Sequence, residues 1–504
     1  MASAKDKHAN AMNIELDFCK TESDARDIRA NTITTARILK ICLAYALVIC
    51  VMCACSIKSI NSGSSVDSGS SIDSGSSVDL GSSVDLGSSP DSAKLAVDTA
   101  PMDSAERKKL TIWGWGGYND VAVEIAGKYY SKVNPNVEVE YVNMTQSEII
   151  SNLNIAFSAR DYDDLPDITL IEDYSIQLFL RQFPGELRPM PITVQADDFI
   201  DYKIHALTYN GDVYGVPFDS GVAVLFYRSD YIEKAGYSKE DMNNLTWDKF
   251  IEIGVAVKKS TGKAMLSMSP DMIEQIRIMI HSAGKWYVKE DGKTVYLADN
   301  DSLKAAIQTY KRIIDSGIAL HVADYTYKTN DLLNELVIAM PGGCWRVGQL
   351  TSINEQFGKW AVTKIPRMSE ISDSVNYASI GGSSWHIIAK SPNVSLAEDF
   401  LTKTFGSNLD MMNELAEKTN VVSSLKSAGS QPNYENEFEF FGGQQIMRDF
   451  FDWSLRVPPV NFGTDAFEIE KIIQEEILSI LQGADIDYAL SIAQSKAEAL
   501  ETIQ

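Results

Sequence analysis

From Lys108 onward, short apolar runs with strand character alternate with longer amphipathic runs at helical spacing. That alternation restricts the chain to α/β architectures. Leu110-Thr111-Ile112-Trp113 reads as a strand. Asn119 to Val133 reads as an amphipathic helix, with Asn119 as its cap and Asn134-Pro135 as its stop. Val137 to Val142 alternates apolar and charged residues at period two, Ser147 to Phe157 is helical, and Asp167 to Ile171 is a short buried strand. Strands separated by helices pair in parallel, with helices on both faces of the sheet. The stretch from Ala466 to Ile503 is almost wholly helical and broken at Gly483.

What precedes Lys108 has a different character. Residues 1–36 are polar and without strong period, and read as disordered or as an over-long start. Arg37 and Lys40 then precede an apolar run from Ile41 to Ala54, a basic segment followed by a hydrophobic one. The run is short for a membrane span, which needs roughly 20 apolar residues. It ends in Met52-Cys53-Ala54-Cys55, which resembles a bacterial lipobox with Cys55 as the lipidated residue. The competing reading is an uncleaved anchor helix, and the short apolar length argues for lipidation. Gly63, Gly69, Gly75, Gly81 and Gly87 follow, each leading two serines. Such sequence cannot bury enough surface to fold and behaves as a flexible tether. Its aspartates are too sparse for a calcium cage of six to eight oxygens.

Composition narrows the function. A chain of 504 residues is too long for one ordinary core and suits two lobes plus extra segments. The formal charge of −24 repels phosphate backbones, so nucleic acid is not an expected partner. Cys19, Cys42, Cys50, Cys53 and Cys55 precede the globular part, which holds only Cys344 and therefore no internal disulfide. His8, His205, His281, His321 and His386 are scattered without metal-ligand spacing, and neither a metal nor another cofactor is expected. Gly114, Gly116 and Gly117 lack the dinucleotide spacing, and no nucleophile elbow or Walker loop appears.

An ordered series of motifs remains. Trp113-Gly114-Trp115-Gly116-Gly117-Tyr118 ends the first strand, and Leu165-Pro166-Asp167-Ile168 leads into Glu172-Asp173. Tyr214-Gly215-Val216-Pro217-Phe218-Asp219-Ser220-Gly221 precedes Leu225-Phe226-Tyr227-Arg228, and Leu245 to Phe250 opens a helix. Ala339-Met340-Pro341-Gly342-Gly343-Cys344-Trp345, Gly381-Gly382-Ser383-Ser384-Trp385 and Ser391-Pro392-Asn393 complete it. In this order and spacing the chain resembles the extracellular solute-binding proteins of family 1, the sugar-binding subunits of ABC importers, over nearly everything from Lys108 onward. The resemblance implies a two-lobed periplasmic-binding-protein-like fold, each lobe a mostly parallel sheet flanked by helices, with a hinge between lobes. It implies crossings near Gly221, Gly382 and Gln444. Residues 1–55 are then leader and lipoprotein signal and 56–107 a tether. Residues 108–221 plus 383–444 form the first lobe, and 222–382 plus 445–504 the second.

The implied function is capture of a carbohydrate outside the cell, by a lipid-anchored monomer that closes on its ligand and delivers it to membrane permease subunits. No catalytic residue is expected. A sugar offers a face of C–H groups that suits a flat aromatic ring and a rim of hydroxyls that suits carboxylates and amides. Such ligands sit beyond the carboxyl ends of the strands of an open α/β sheet. The expected ligand residues are Trp113, Trp115, Tyr118, Asp173, Asp219, Trp345, Ser383, Trp385 and Gln444. Trp113 has an equally good reading as a core residue, and so have Trp286 and Tyr287. Trp247 reads as packing at a helix start. The rivals are a binding protein for a non-sugar solute and a lipid-anchored glycoside-degrading enzyme. The Asp161, Asp163, Asp164 and Asp167 cluster would suit the latter, but a solvated loop is its default reading.

Overall fold

The computed structural model describes residues 107–269, 273–322, 331–332 and 334–500. The leader, Cys55 and the Gly-Ser repeat lie outside the described residues.

The first lobe is built on a five-stranded sheet. Strands β1 (Lys108–Gly114), β2 (Val137–Asn143) and β3 (Ile168–Glu172) run parallel, linked by helices α1 (Tyr118–Ser131) and α2 (Gln146–Ala159). Leu110 and Ile112 of β1 and Ala122, Val123 and Ala126 of α1 meet in one core, as the two periodicities require. Helix α2 starts at a capping box. Thr145 accepts from the Glu148 amide at 3.2 Å, and Glu148 accepts from the Thr145 amide at 2.7 Å. Helix α3 (Ile176–Gln182) follows β3, and α4 (Asp201–Leu207) precedes the short β4 (Val216–Pro217).

The second lobe begins as the chain leaves β4 for β5 (Ala223–Arg228), whose six residues are all buried. β5 lies between β6 (Ala339–Gly343) and β7 (Trp360–Lys364) and is antiparallel to both. The two-lobed α/β architecture is as expected, but the parallel pairing expected in this sheet is not. The reason is geometric. β5 runs away from the lobe junction, and β6 and β7 must each return to it, so Gly343 pairs with Ala223 and Lys364 with Val224. Trp247, expected to pack, is buried against Phe250 at the start of α5 (Trp247–Thr261). Trp286 and Tyr287 are likewise core, with Trp286 stacked on Tyr174 at 5.5 Å.

From β7 the chain returns to the first lobe as β8 (Ser383–Ile387), inserted between β3 and β4 and antiparallel to both. The two crossings touch backbone to backbone. The Ile380 amide donates to Gly221 O and the Ala223 amide to Ala378 O, both at 2.8 Å. A Cβ on Gly221 would lie 2.1 Å from Gly381 O, so glycine is required there. Helices α6 (Ala466–Leu481) and α7 (Ile486–Leu500) close the second lobe, with Gly483 between them at φ 106°. Arg181 of α3 forks onto Asp465 before α6 at 2.8 and 2.9 Å, joining the lobes directly. No helix among the described residues is long and apolar enough to cross a membrane.

His281 fastens the crossings. Its Nδ1 lies 3.1 Å from Ser379 O and its Nε2 2.9 Å from Pro458 O. Burial pushes its pKa down to about 4, and burial followed by the Lys203 charge pushes that of His386 down to about 3. In the folded chain both rings are neutral across a range where the unfolded chain, at about 6.5, takes up a proton. The unfolded state then binds more protons, so stability is full above pH ~6.5 and falls on acidification toward pH 4, by up to about 1.4 kcal/mol per pH unit per ring. Urea unfolding at pH 7.5, 6 and 5 should show that slope in the wild type and about half of it in His281→Gln, where His386 still contributes. Identical slopes would overturn the assignment.

Candidate functional site

A cleft of about 340 Å³ opens where the two lobes meet the crossings. One wall comes from the carboxyl ends of first-lobe strands. Trp115 and Gly116 directly follow the end of β1, and α1 begins with Tyr118 and Asn119. The Trp115 carbonyl accepts from Tyr141 Oη–H at 2.7 Å and from Asn119 Nδ2–H at 3.1 Å, which fixes the loop. Gly114 leaves room for that Tyr141 hydroxyl, since a Cβ there would lie 2.4 Å from it.

Asp219 forms the floor. Its Oδ1 accepts from the Ser383 amide at 2.6 Å and from Ser383 Oγ–H at 2.7 Å, and its Oδ2 accepts from Tyr118 Oη–H at 2.9 Å. Burial, then the Asp219 charge, holds the Tyr118 phenol protonated by raising its pKa well above the usual value. One accepting position of Oδ2 is left for a hydroxyl arriving from the cleft. Glu172, the last residue of β3, also lines the cleft and accepts from Gln146 Nε2–H at 2.6 Å. Burial raises its pKa, and the Gln146 bond opposes the rise.

Trp345 also lines the cleft. Its ring lies over two glycines, where a Cβ at Gly343 would come within 1.9 Å and one at Gly381 within 2.9 Å of it. Only glycine at both positions lets the indole come this close to the crossing. Trp115, Tyr118, Asp219, Trp345 and Ser383 of the expected residues are thus brought together.

Four others are not. Trp113 is buried within the sheet, between Val142 of β2 and Thr169 of β3, and does not line the cleft. Trp385 is fully buried, with Phe218 and Phe405 each 5.2 Å away, because strand alternation turns it from the Ser384 side into the helix-covered core. Gln444 is spent on the second sheet, where its amide accepts from the Val362 N–H at 2.8 Å and donates to the Val362 carbonyl at 3.0 Å. It substitutes for a neighbouring strand at that edge. Asp173 is buried and paired with Lys203 at 2.5 Å, with Ser384 Oγ–H donating to its other oxygen at 2.9 Å. It does not line the cleft, and its neighbour Glu172 does instead. The sequence signal for Glu172 was its place as the last residue of the strand. Gln146 and Asn119 had no comparable signal.

The arrangement defines a class. Two α/β lobes joined by paired crossings, with an aromatic and carboxylate-lined cleft at the junction, make a binding protein of the hinged, two-lobed kind. A profile described as "Bacterial extracellular solute-binding protein" matches residues 124–442, and the chain belongs to that family. It is 36% identical over 394 residues to the lactose-binding protein of Rhizobium radiobacter, covering 77% of this chain and 92% of that one. It is 26% identical over 311 residues to the arabinooligosaccharide-binding protein of Bacillus subtilis strain 168, covering 59% and 69%. The fold matches the GacH receptor of Streptomyces glaucescens with a TM-score of 0.65 at 19% identity, over 78% of this chain and 98% of that one.

Proposed function

We propose that the chain captures a carbohydrate in this cleft and presents it to the permease of an ABC importer. One observation carries the reading. The Trp345 ring and the Asp219 and Glu172 carboxyl groups line one cleft of about 340 Å³. An apolar ring together with hydroxyl acceptors is what a sugar's two kinds of surface require. The ligands in the names of the relatives, lactose and arabinooligosaccharides, agree with it. Trp115, Tyr118, Asp219, Trp345 and Ser383 are the ligand residues in this reading, joined by Glu172. The lobes close by bending at the crossings near Gly221 and Gly382. No chemical step is needed.

The test is a thermal-shift screen of mono- and oligosaccharides, lactose included, followed by analysis of the incubated sugars for cleavage. A ligand that binds only the native state raises the melting temperature. Recovery of intact sugar and a shift with at least one compound are expected. Cleavage would make the protein an enzyme, and a shift only with non-sugar solutes would move it to another ligand class.

In the same reading the protein is held at the outer face of the membrane by lipid on Cys55, with residues 56–107 as spacer. A fatty-acid probe should label cells making the wild type and spare Cys55→Ser. Equal labelling of both would remove the anchor from the proposal.

A further inference from the structure

We infer that Lys203, which never reaches the cleft, is the positioning residue that sets Asp219 for its ligand. Lys203 lies on α4 and is fully buried. Its Nζ donates to Asp173 Oδ2 at 2.5 Å and to the Ser383 carbonyl at 2.9 Å. Ser383 in turn aims its amide and its hydroxyl at one oxygen of Asp219. Ser384 Oγ–H donates to Asp173 Oδ1 at 2.9 Å, and the Asp173 amide donates to Gly382 O at 3.0 Å. Residues 382–384 are therefore gripped at three points by the Lys203–Asp173 pair, where the second crossing enters the first lobe.

The turn is also held by the Phe218 amide, which donates to the Ser383 carbonyl at 3.1 Å, and by the Gly381 amide, which donates to Tyr174 Oη at 3.1 Å, but Lys203 alone ties the Ser383 carbonyl to a buried side-chain charge. Gly381 and Gly382 have φ of 89° and 100°, and neither has a side chain to lock it. A shift of the Ser383 carbonyl would carry its N–H with it and release Asp219. A buried ion pair is a poor way to stabilise a core, since apolar residues of the same volume do as well or better. Its presence directly behind the cleft is accounted for by placement of the strand that holds the acceptor.

The inference rests on the sugar-capture reading, and the experiment separates the two. The full chain is compared with Lys203→Met/Asp173→Asn, which removes the ammonium bond to the Ser383 carbonyl and the ion pair but leaves the Asp173 backbone bond to Gly382 and no unpaired buried charge. Melting curves, calorimetric titration with lactose and ligand-free crystal structures are recorded for both. The double variant should melt close to the wild type, bind lactose tenfold or more weakly, and show Asp219 detached from Ser383. Wild-type affinity in the double variant, or an undisturbed Asp219–Ser383 contact, would overturn the positioning role. If the wild type binds no sugar, the sugar reading fails while the crystal structures still decide the placement of Asp219. Ser384→Ala loosens only Asp173 and serves if the double variant does not fold. It should weaken lactose binding several-fold at nearly unchanged melting temperature, and unchanged affinity would count against the role.

Discussion

Asp173→Ala is expected to unfold at markedly lower urea concentration than the wild type, losing about 3–5 kcal/mol of stability. The carboxylate is buried and is the ion-pair partner of an equally buried Lys203. Removing it strands an ammonium group with one backbone carbonyl and no counter-charge. Burial raises the Asp173 pKa, and the Lys203 charge opposes that rise. The two groups therefore depend on each other. Circular dichroism during urea titration gives the measurement. Unchanged unfolding would mean that the Lys203 charge finds another partner in the variant.

Trp345→Ala should do the reverse, binding poorly while staying folded. Its ring is half-buried at the cleft wall and rests on Gly343 and Gly381. Truncating an aromatic anchor of this kind costs about 2–4 kcal/mol of binding, roughly 30- to 1000-fold in affinity. Calorimetric titration with whichever sugar the screen identifies is the test, with thermal melts as control. Normal binding would make the tryptophan a packing residue. Binding lost only through unfolding would make it a core one.

The contrast between these residues shows what the sequence could and could not say. Local pattern was enough for β1 to β3, because period-two and 3.6-residue spacing are written in consecutive residues. For Trp345, which follows two glycines, local pattern left packing and ligand roles open, and it was the resemblance of its motif to the family that pointed to the cleft it lines. Trp385 also follows two glycines, yet it faces the core. Its orientation is set by β8 pairing with β3, and that partner lies far away in the chain. Glu172 and Asp173 are adjacent and chemically alike. Which one faces the cleft depends on Lys203, a lysine that nothing in its own neighbourhood marks as buried. The antiparallel second sheet was hidden for a similar reason. The unbroken apolar run of β5 reads as a parallel strand, and only the return paths of β6 and β7 reverse its neighbours.

The place of β8 has a consequence for how the molecule comes into being. It is an interior strand of the first sheet, flanked by β3 and β4, yet the whole of β5 to β7 is made before it. A nascent chain that has reached Pro217 holds four of the five strands and an empty slot between two of them. Closing that slot demands contacts distant in sequence, which are slow to form. The lobes therefore cannot mature one after the other as independent domains usually do during synthesis. Until Ile387 has emerged the first lobe has no complete core, and the chain remains extensible over most of its length. The interior strand that completes the first-lobe sheet is thus made after the whole of the second lobe's central sheet, and the first lobe is finished only once Ile387 is in place.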